Sequence, residues 1–192
     1  VDHIFRQYDI RGKVGSELQV DQVYSLVKSI LYYFRLKNPR VATIAVGADG
    51  RIHSPAIKDE VCRAIQDSGL DVVYIGCCPS PVLYFTMFNY SVDAGLMITA
   101  SHNGPEYNGI KICLGKDTVW GSEIQQIKEL YKQGVELTAT IKGSYKEHAV
   151  IDDYIDWLQD HFAELIGMDI SAVIDCGNGA AGTVLPQLVQ AM

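Results

Sequence analysis

The densest run of chemistry-bearing side chains is Thr99-Ala100-Ser101-His102-Asn103-Gly104-Pro105-Glu106-Tyr107-Asn108-Gly109-Ile110-Lys111. It holds a hydroxyl able to carry a transferable phosphoryl group, an imidazole and an amide able to orient it, and a lysine able to balance anionic charge. The run follows a buried-strand pattern, and open α/β sheets place ligand loops at strand ends. Composition leaves a second reading open, a long turn whose small polar residues satisfy their own backbone. Two other stretches have the form of anion-binding turns. Phe5-Arg6-Gln7-Tyr8-Asp9-Ile10-Arg11-Gly12 sets Arg11 beside a glycine, where its guanidinium could grip phosphate oxygens in bidentate fashion. The plainer alternative is an amino-terminal strand and turn with a surface salt bridge. Val46-Gly47-Ala48-Asp49-Gly50-Arg51 is similar in form. There the ordinary reading is preferred, a glycine-rich turn from strand to helix braced by Asp49 and Arg51.

Other chemistries fit less well. Ser101-His102 suggests a hydrolase pair, but neighbours in an extended loop point apart, while a nucleophile and its base must meet. No G-x-S-x-G elbow occurs either. Gly177-Asn178-Gly179-Ala180-Ala181-Gly182 fits a dinucleotide fingerprint between a strand pattern and a helix pattern. The acidic residue expected about 20 residues later falls at or past the last residue. The five cysteines, two of them adjacent at Cys77-Cys78, form no C-x-x-C pair, which argues against a disulfide framework or zinc site and for reduced thiols.

The elements that must position these residues alternate. A helical face over residues 21–37 carries Val23, Leu26, Val27, Ile30, Leu31 and Phe34. Val41–Val46 reads as a buried strand, and Ser54-Pro55 as the cap and first turn of a helix that ends near Gly69. Asp71–Ile75 is a strand, Ser80-Pro81 opens a helix, and Ala94–Ala100 is a third buried strand. Ile110–Leu114 follows the turn dipeptide Asn108-Gly109 and is expected to be antiparallel, and Ser122 caps a helix through Tyr131. The pattern predicts a layered α/β domain with a mixed, mostly parallel sheet between helices. A polar stretch over 142–148 puts a domain boundary near residue 150, giving residues 1–150 as one domain. Residues 151–192 are expected to begin a second, similar domain, with a helix through Tyr154, Leu158, Phe162 and Leu165, a strand at Ala172–Cys176 and a helix from Thr183.

The net charge of −7 argues against nucleic acid as the main partner. No apolar stretch approaches the roughly 20 residues that span a bilayer, and no secretory signal opens the sequence, so no membrane role and a cytoplasmic location are expected. The chain lacks an initial Met and closes on an apolar helical pattern, so both ends are read as internal to a longer protein.

Taken together and in this order, Tyr8-Asp-Ile-Arg-Gly12, Val46-Gly-Ala-Asp-Gly-Arg51 and the Thr99–Lys111 loop resemble the α-D-phosphohexomutase superfamily, specifically its phosphomannomutase/phosphoglucomutase group. The resemblance continues through Val173–Gly182, where it explains the glycines as a tight turn opening a second domain. Tyr8 and Tyr107 favour this group over the phosphoglucosamine mutases, which are kept as an alternative. The resemblance implies an isomerase interconverting hexose 1-phosphate and hexose 6-phosphate through phosphorylated Ser101 and a bisphosphate intermediate. It implies catalytic roles for Ser101, His102, Lys111 and Arg11, and substrate contacts from Tyr8 and Asn103. It further implies Mg²⁺ bound through the Ser101 phosphate and through residues of a D-G-D-x-D-R loop absent from this chain, with hexose 1,6-bisphosphate as activator. The expected partners are a hexose phosphate and the remaining C-terminal domains of the same protein, so the chain alone is expected to be inactive. Gly104, where the family usually has Pro, and Ala48, where it often has Arg, depart from the pattern and keep a second alternative in view: a non-catalytic sugar-phosphate-binding or interaction domain.

Overall fold

A computed structural model of the chain describes residues 2–192. After a 3₁₀ turn at Asp2–Ile4, strand β1 (Ile10–Lys13) leads to helix α1 (Val20–Lys37), β2 (Thr43–Ala48), α2 (Ser54–Asp67), β3 (Asp71–Cys77), α3 (Ser80–Asn89) and β4 (Ala94–Ile98). There follow β5 (Tyr107–Leu114), β6 (Asp117–Thr118), α4 (Ser122–Lys132), β7 (Tyr145–Glu147), α5 (Ile151–His161) and α6 (Leu185–Ala191). The helices start and stop for local reasons. Pro55 and Pro81 sit in first turns, where a missing N–H costs nothing. Gly69, at φ +72°, closes α2: its N–H reaches the Gln66 carbonyl and that of Leu70 reaches Ile65, the paired bonds of a Schellman cap.

The strands form one sheet in the order β1-β5-β4-β2-β3-β7, with β6 on β5. The β4, β2, β3 and β7 neighbours are parallel, while β5 runs antiparallel to β4, β1 and β6. The sheet is therefore mixed and mostly parallel, as the sequence pattern predicts. Strand periodicity divides the core. Ile44, Val46, Leu96, Ile98, Ile110 and Ile112 face α1, α2 and α4. Ala45, Val73, Ile75, Met97 and Cys113 face α3 and α5.

From β2 the chain crosses through α2 to β3. It then returns past β2 through α3, on the opposite face, to β4. The chain leaves β2 towards β3 and leaves β4 towards its antiparallel neighbour β5, in opposite directions, so the carboxyl ends of β2 and β4 flank a topological switch point, the place where such sheets open a crevice.

Beyond residue 150 the expectations need correction. Helix α5 ends at His161, and Phe162 and Leu165 are exposed, so the apolar period does not continue into one helix. Helix α5 lies on α3 through Phe85, whose ring centroid is 5.4 Å from Tyr154 and 5.8 Å from Trp157. Ala172–Cys176 is not a strand: none of the described residues pairs with it, and Val173 is fully exposed. An apolar, β-branched run forms a strand only where another strand accepts its N–H and C=O groups. Nothing in the residue pattern predicts β7, a polar Tyr-Lys-Glu on the surface that joins β3 beside the Val72 N–H to Ser144 carbonyl bond of 2.9 Å.

Candidate functional site

The crevice at the switch point is built from the loops that leave β2 and β4. Ala48 pairs with Ile98, and the Asp49 N–H donates to the Ile98 carbonyl at 2.9 Å, so the loops start side by side. The Asp49 carboxylate is their shared anchor. One oxygen accepts from the Ser54 hydroxyl at 2.8 Å and the Arg51 N–H at 3.2 Å. The other accepts from the Thr99 hydroxyl at 2.7 Å and Arg51 Nε at 3.0 Å. Ser54, expected as a helix cap, is instead the first residue of α2 with its hydroxyl turned to Asp49.

Arg51 carries the connection across. One terminal nitrogen donates to the carbonyls of Gly104 at 2.7 Å and Tyr107 at 3.1 Å, and the other to those of Ser101 at 2.9 Å and Asn103 at 2.8 Å. With Nε on Asp49, all five N–H donors of the guanidinium are used. The turn read as a simple brace between strand and helix thus also clamps a loop fifty residues away. Underneath, the buried Asn108 donates to the Ser54 hydroxyl at 3.0 Å and accepts from the Gly109 N–H at 2.8 Å. Gly109 has to be glycine because a Cβ there would lie 2.1 Å from the Ile10 carbonyl oxygen.

The clamp gives Ser101 its backbone. Its φ is +56°, a left-handed conformation uncommon for a residue with a Cβ, and its N–H is held by the Thr99 hydroxyl at 2.9 Å. Such strain persists where surrounding bonds over-determine it. The loop is consequently not extended here, and the expectation that Ser101 and His102 point apart is corrected: Ser101 Oγ lies 3.2 Å from His102 Nδ1. Both residues are exposed at the mouth of the crevice.

Two cations stand beside them. Arg11, from β1, hydrogen-bonds the Asn103 side-chain oxygen and the Asp9 carboxylate, and Lys111 Nζ lies 3.6 Å from the same carboxylate. One buried anion therefore faces two cations, leaving a net positive end to the crevice. Tyr8 stands outside this network, exposed and stacked on Trp120 with ring centroids 6.5 Å apart. Ser101, His102, Asn103, Arg11 and Lys111 thus belong to one loop-and-strand cluster, with Tyr8 at its rim. Reading the residues one at a time placed Thr99 and Asn108 in the loop without a role, gave Asp49 and Arg51 only a local brace, and left Asp9 unassigned. The available signal was that both polar turns follow buried strands, which puts them on one edge of a parallel sheet.

At the end of β3 the Cys77 thiol is held above its ordinary pKa by burial and then by Asp49, which keeps it protonated.

The chain matches the family model described as phosphoglucomutase/phosphomannomutase, alpha/beta/alpha domain I, over residues 2–138. It is 35% identical over 191 residues to a phosphomannomutase/phosphoglucomutase of Pseudomonas syringae pv. tomato, covering all of this chain and 40% of that protein. It is 33% identical over 186 residues to a phosphomannomutase of Vibrio cholerae, covering 96% of this chain and again 40% of the relative. A crystal structure of a phosphoglucomutase/phosphomannomutase family protein from Burkholderia thailandensis superposes with a TM-score of 0.84 at 29% identity, over the whole chain and 42% of that structure. The chain belongs to the phosphoglucomutase/phosphomannomutase family. It spans about 40% of the length of these curated relatives.

Proposed function

We propose that this chain is the phosphoryl-carrying part of a phosphohexomutase, an isomerase acting on hexose 1-phosphate and hexose 6-phosphate of the glucose or mannose series. The observation that carries the proposal is the Arg51 clamp, which presents Ser101 at positive φ beside two cations anchored on one carboxylate. Phosphorylated Ser101 carries about −1.5 to −2 charges near neutral pH, and Arg11 and Lys111 supply the balancing charge. In transfer, the bond from phosphorus to Ser101 Oγ breaks as a sugar hydroxyl oxygen bonds to phosphorus. The hydroxyl proton leaves and Ser101 Oγ gains one. His102 Nδ1, 3.2 Å from that oxygen, is placed to hold a proton there, and Lys111 is the candidate to move the proton at the sugar. Tyr8 and Asn103 are the proposed sugar-phosphate contacts. A hexose 1,6-bisphosphate would recharge Ser101, and the rest of catalysis is orientation and charge stabilisation.

Mg²⁺ is the cofactor that the family implies, and these residues do not fit it by themselves. Asp9 and Asp49 are both engaged by arginines, and among the described residues no group of three His, Cys, Asp or Glu side chains could hold a metal ion. The metal's proposed contact in this chain is an oxygen of the Ser101 phosphate.

The division into residues 1–150 and the start of a second domain at 151–192 is likewise proposed, as is the need for further domains to hold the sugar's distal phosphate. Alone, the chain would lack the effective molarity such a grip provides, about 7–11 kcal/mol of barrier, and would not turn over. The five unpaired thiols support a reducing, cytoplasmic setting, and no helix is long and apolar enough to cross a membrane among the described residues. Phosphopeptide mass spectrometry of the protein isolated from cells tests the central claim. Phosphate is expected on the Ser101 peptide, absent in Ser101→Ala, and its presence only on another serine would refute the assignment.

A further inference from the structure

Two of the largest exposed aromatic side chains lie together at the rim of the cluster. Tyr8 is 63% and Trp120 55% exposed, and their rings stack with 23° between planes. Single exposed apolar residues are ordinary, but this pair is fixed in place. Trp120 follows β6, where Cys113 faces Thr118 and the Val119 N–H donates to the Ile112 carbonyl at 2.8 Å. Continuing that antiparallel register sets Trp120 level with Lys111, and residues directly opposite in such a pair share a sheet face. Gly121, at φ +57°, turns the chain so that its N–H reaches the Gln7 carbonyl at 2.7 Å, which ties Trp120 to the segment carrying Tyr8. Tyr8 in turn adjoins Asp9, the anchor of Arg11 and Lys111. The backbone thus sets the aromatic pair on the two segments that neighbour the cations, Trp120 level with Lys111 in register and Tyr8 next to Asp9 in the chain.

We infer that Trp120, with Tyr8, is a platform for the pyranose ring of the phosphosugar, and so a binding residue for this reaction. The inference rests on the proposed mutase reading and deepens it. A hexose phosphate has an anionic end and a ring with an apolar C–H face, and cations beside an aromatic wall match both ends of that molecule. Arg11 and Lys111 take the phosphate, while the indole face takes the ring hydrogens and excludes water from one side. Glucose and mannose differ at C2 and carry the same hydrogens at C3 and C5. A wall that meets the C3 and C5 hydrogens therefore accepts both sugars, whereas inorganic phosphate has nothing to lay on it.

The chain has two tryptophans, so Trp157→Phe leaves Trp120 as the sole indole reporter. Glucose 1-phosphate and mannose 1-phosphate are expected to quench its emission, and inorganic phosphate to leave it unchanged. In calorimetric titrations on the otherwise unaltered chain, Trp120→Ala should weaken both hexose phosphates about fivefold to tenfold. It should leave inorganic phosphate untouched, and Trp120→Phe should keep most of the affinity. An equal loss for inorganic phosphate would show a merely structural role and overturn the platform, as would unchanged hexose phosphate binding in Trp120→Ala. Lys111→Met separates the two claims because it should weaken sugar phosphate and inorganic phosphate alike. If it does so while Trp120→Ala has no effect, the platform falls and the anion site stands. If it weakens neither, the reading of the anion site fails and takes the platform with it.

Discussion

Replacing Arg51 with lysine keeps the charge and removes the fork, so it isolates what the fork does. Arg51 donates to four loop carbonyls at 2.7–3.1 Å and to Asp49 at 3.0 Å. An ammonium has three donors on a single atom. It can keep Asp49 and one or two carbonyls, but it cannot reach across from Ser101 to Tyr107. At roughly 1.5 kcal/mol for each lost charge-assisted bond, losing two costs the ordered loop about 3 kcal/mol. That is roughly a hundredfold in the opening equilibrium, at about 1.4 kcal/mol per factor of ten. The global loss is smaller, because the variant need only populate an open loop while both faces of the sheet stay packed.

Amide exchange measures this directly. The Asn103 N–H on the Ala100 carbonyl and the Tyr107 N–H on the Gly104 carbonyl, both 3.1 Å, are protected only while the loop is closed. In Arg51→Lys they should exchange up to about a hundredfold faster, with core amides of β2 and β4 unchanged. Unaltered exchange at Asn103 and Tyr107 would refute the clamp, and with it the explanation of the Ser101 conformation.

Two other perturbations follow from the same geometry and from the buried thiols. Gly109→Ala drives a Cβ to 2.1 Å from the Ile10 carbonyl and must part β1 from β5, whereas a Cβ at Gly104 meets only the flexible Glu106 carboxylate. Thermal melts should therefore show a fall of about 6–12 °C for the first, from roughly 3 kcal/mol, and little change for Gly104→Ala. Burial pushes Cys62 and Cys78 up to about 12 and Cys113 up to about 11, against an ordinary 9.0. Above pH 9 the unfolded chain ionises these thiols and the folded one does not, so their contribution is complete below pH 9 and falls away from 9 up to about 11 for Cys113 and about 12 for Cys62 and Cys78. At pH 10 the loss is about 1.4 kcal/mol for each thiol. Melts across pH 8–10.5 should show this decline, and Cys62→Ala should flatten it. An unchanged slope would refute the assignment.

Periodicity located the sheet well because most of its strands are buried on both faces, and continuous apolar runs such as Ile44–Val46 and Ala94–Ile98 leave little choice. It failed where pairing depends on a partner rather than on the strand itself. Tyr145–Glu147 is polar yet paired, and Ala172–Cys176 is apolar yet unpaired. In the site, residue types marked the Ser101 loop, but the bonds that shape it come from Arg51. That role depends on the Ala48–Ile98 register, and nothing local to residues 46–51 reveals it. The same lesson corrects the Ser101–His102 geometry: an extended loop was assumed, and a clamp acting from another strand bends it.

The two arginines of the crevice show how prior engagement separates support from function. Arg51 has no N–H left for a ligand, since four carbonyls and a carboxylate satisfy all five. Its charge is matched by Asp49 at 3.0 Å, so its effect on an incoming anion is that of a neutral pair. Arg11 uses one N–H on Asp9 and one on Asn103, and its buried Nε has no partner among the described residues. Lys111 is held only loosely, at 3.6 Å from the same Asp9. On the proposed reading, the donors that a phosphate would recruit are those the fold leaves over on Arg11 and Lys111. Asp9 gives those two cations a common foothold without neutralising both. On the same reading, a phosphate at the mouth of the crevice would meet a net positive charge, with Arg11 already fixed on Asp9 and Asn103 and the loosely held Lys111 free to swing onto it.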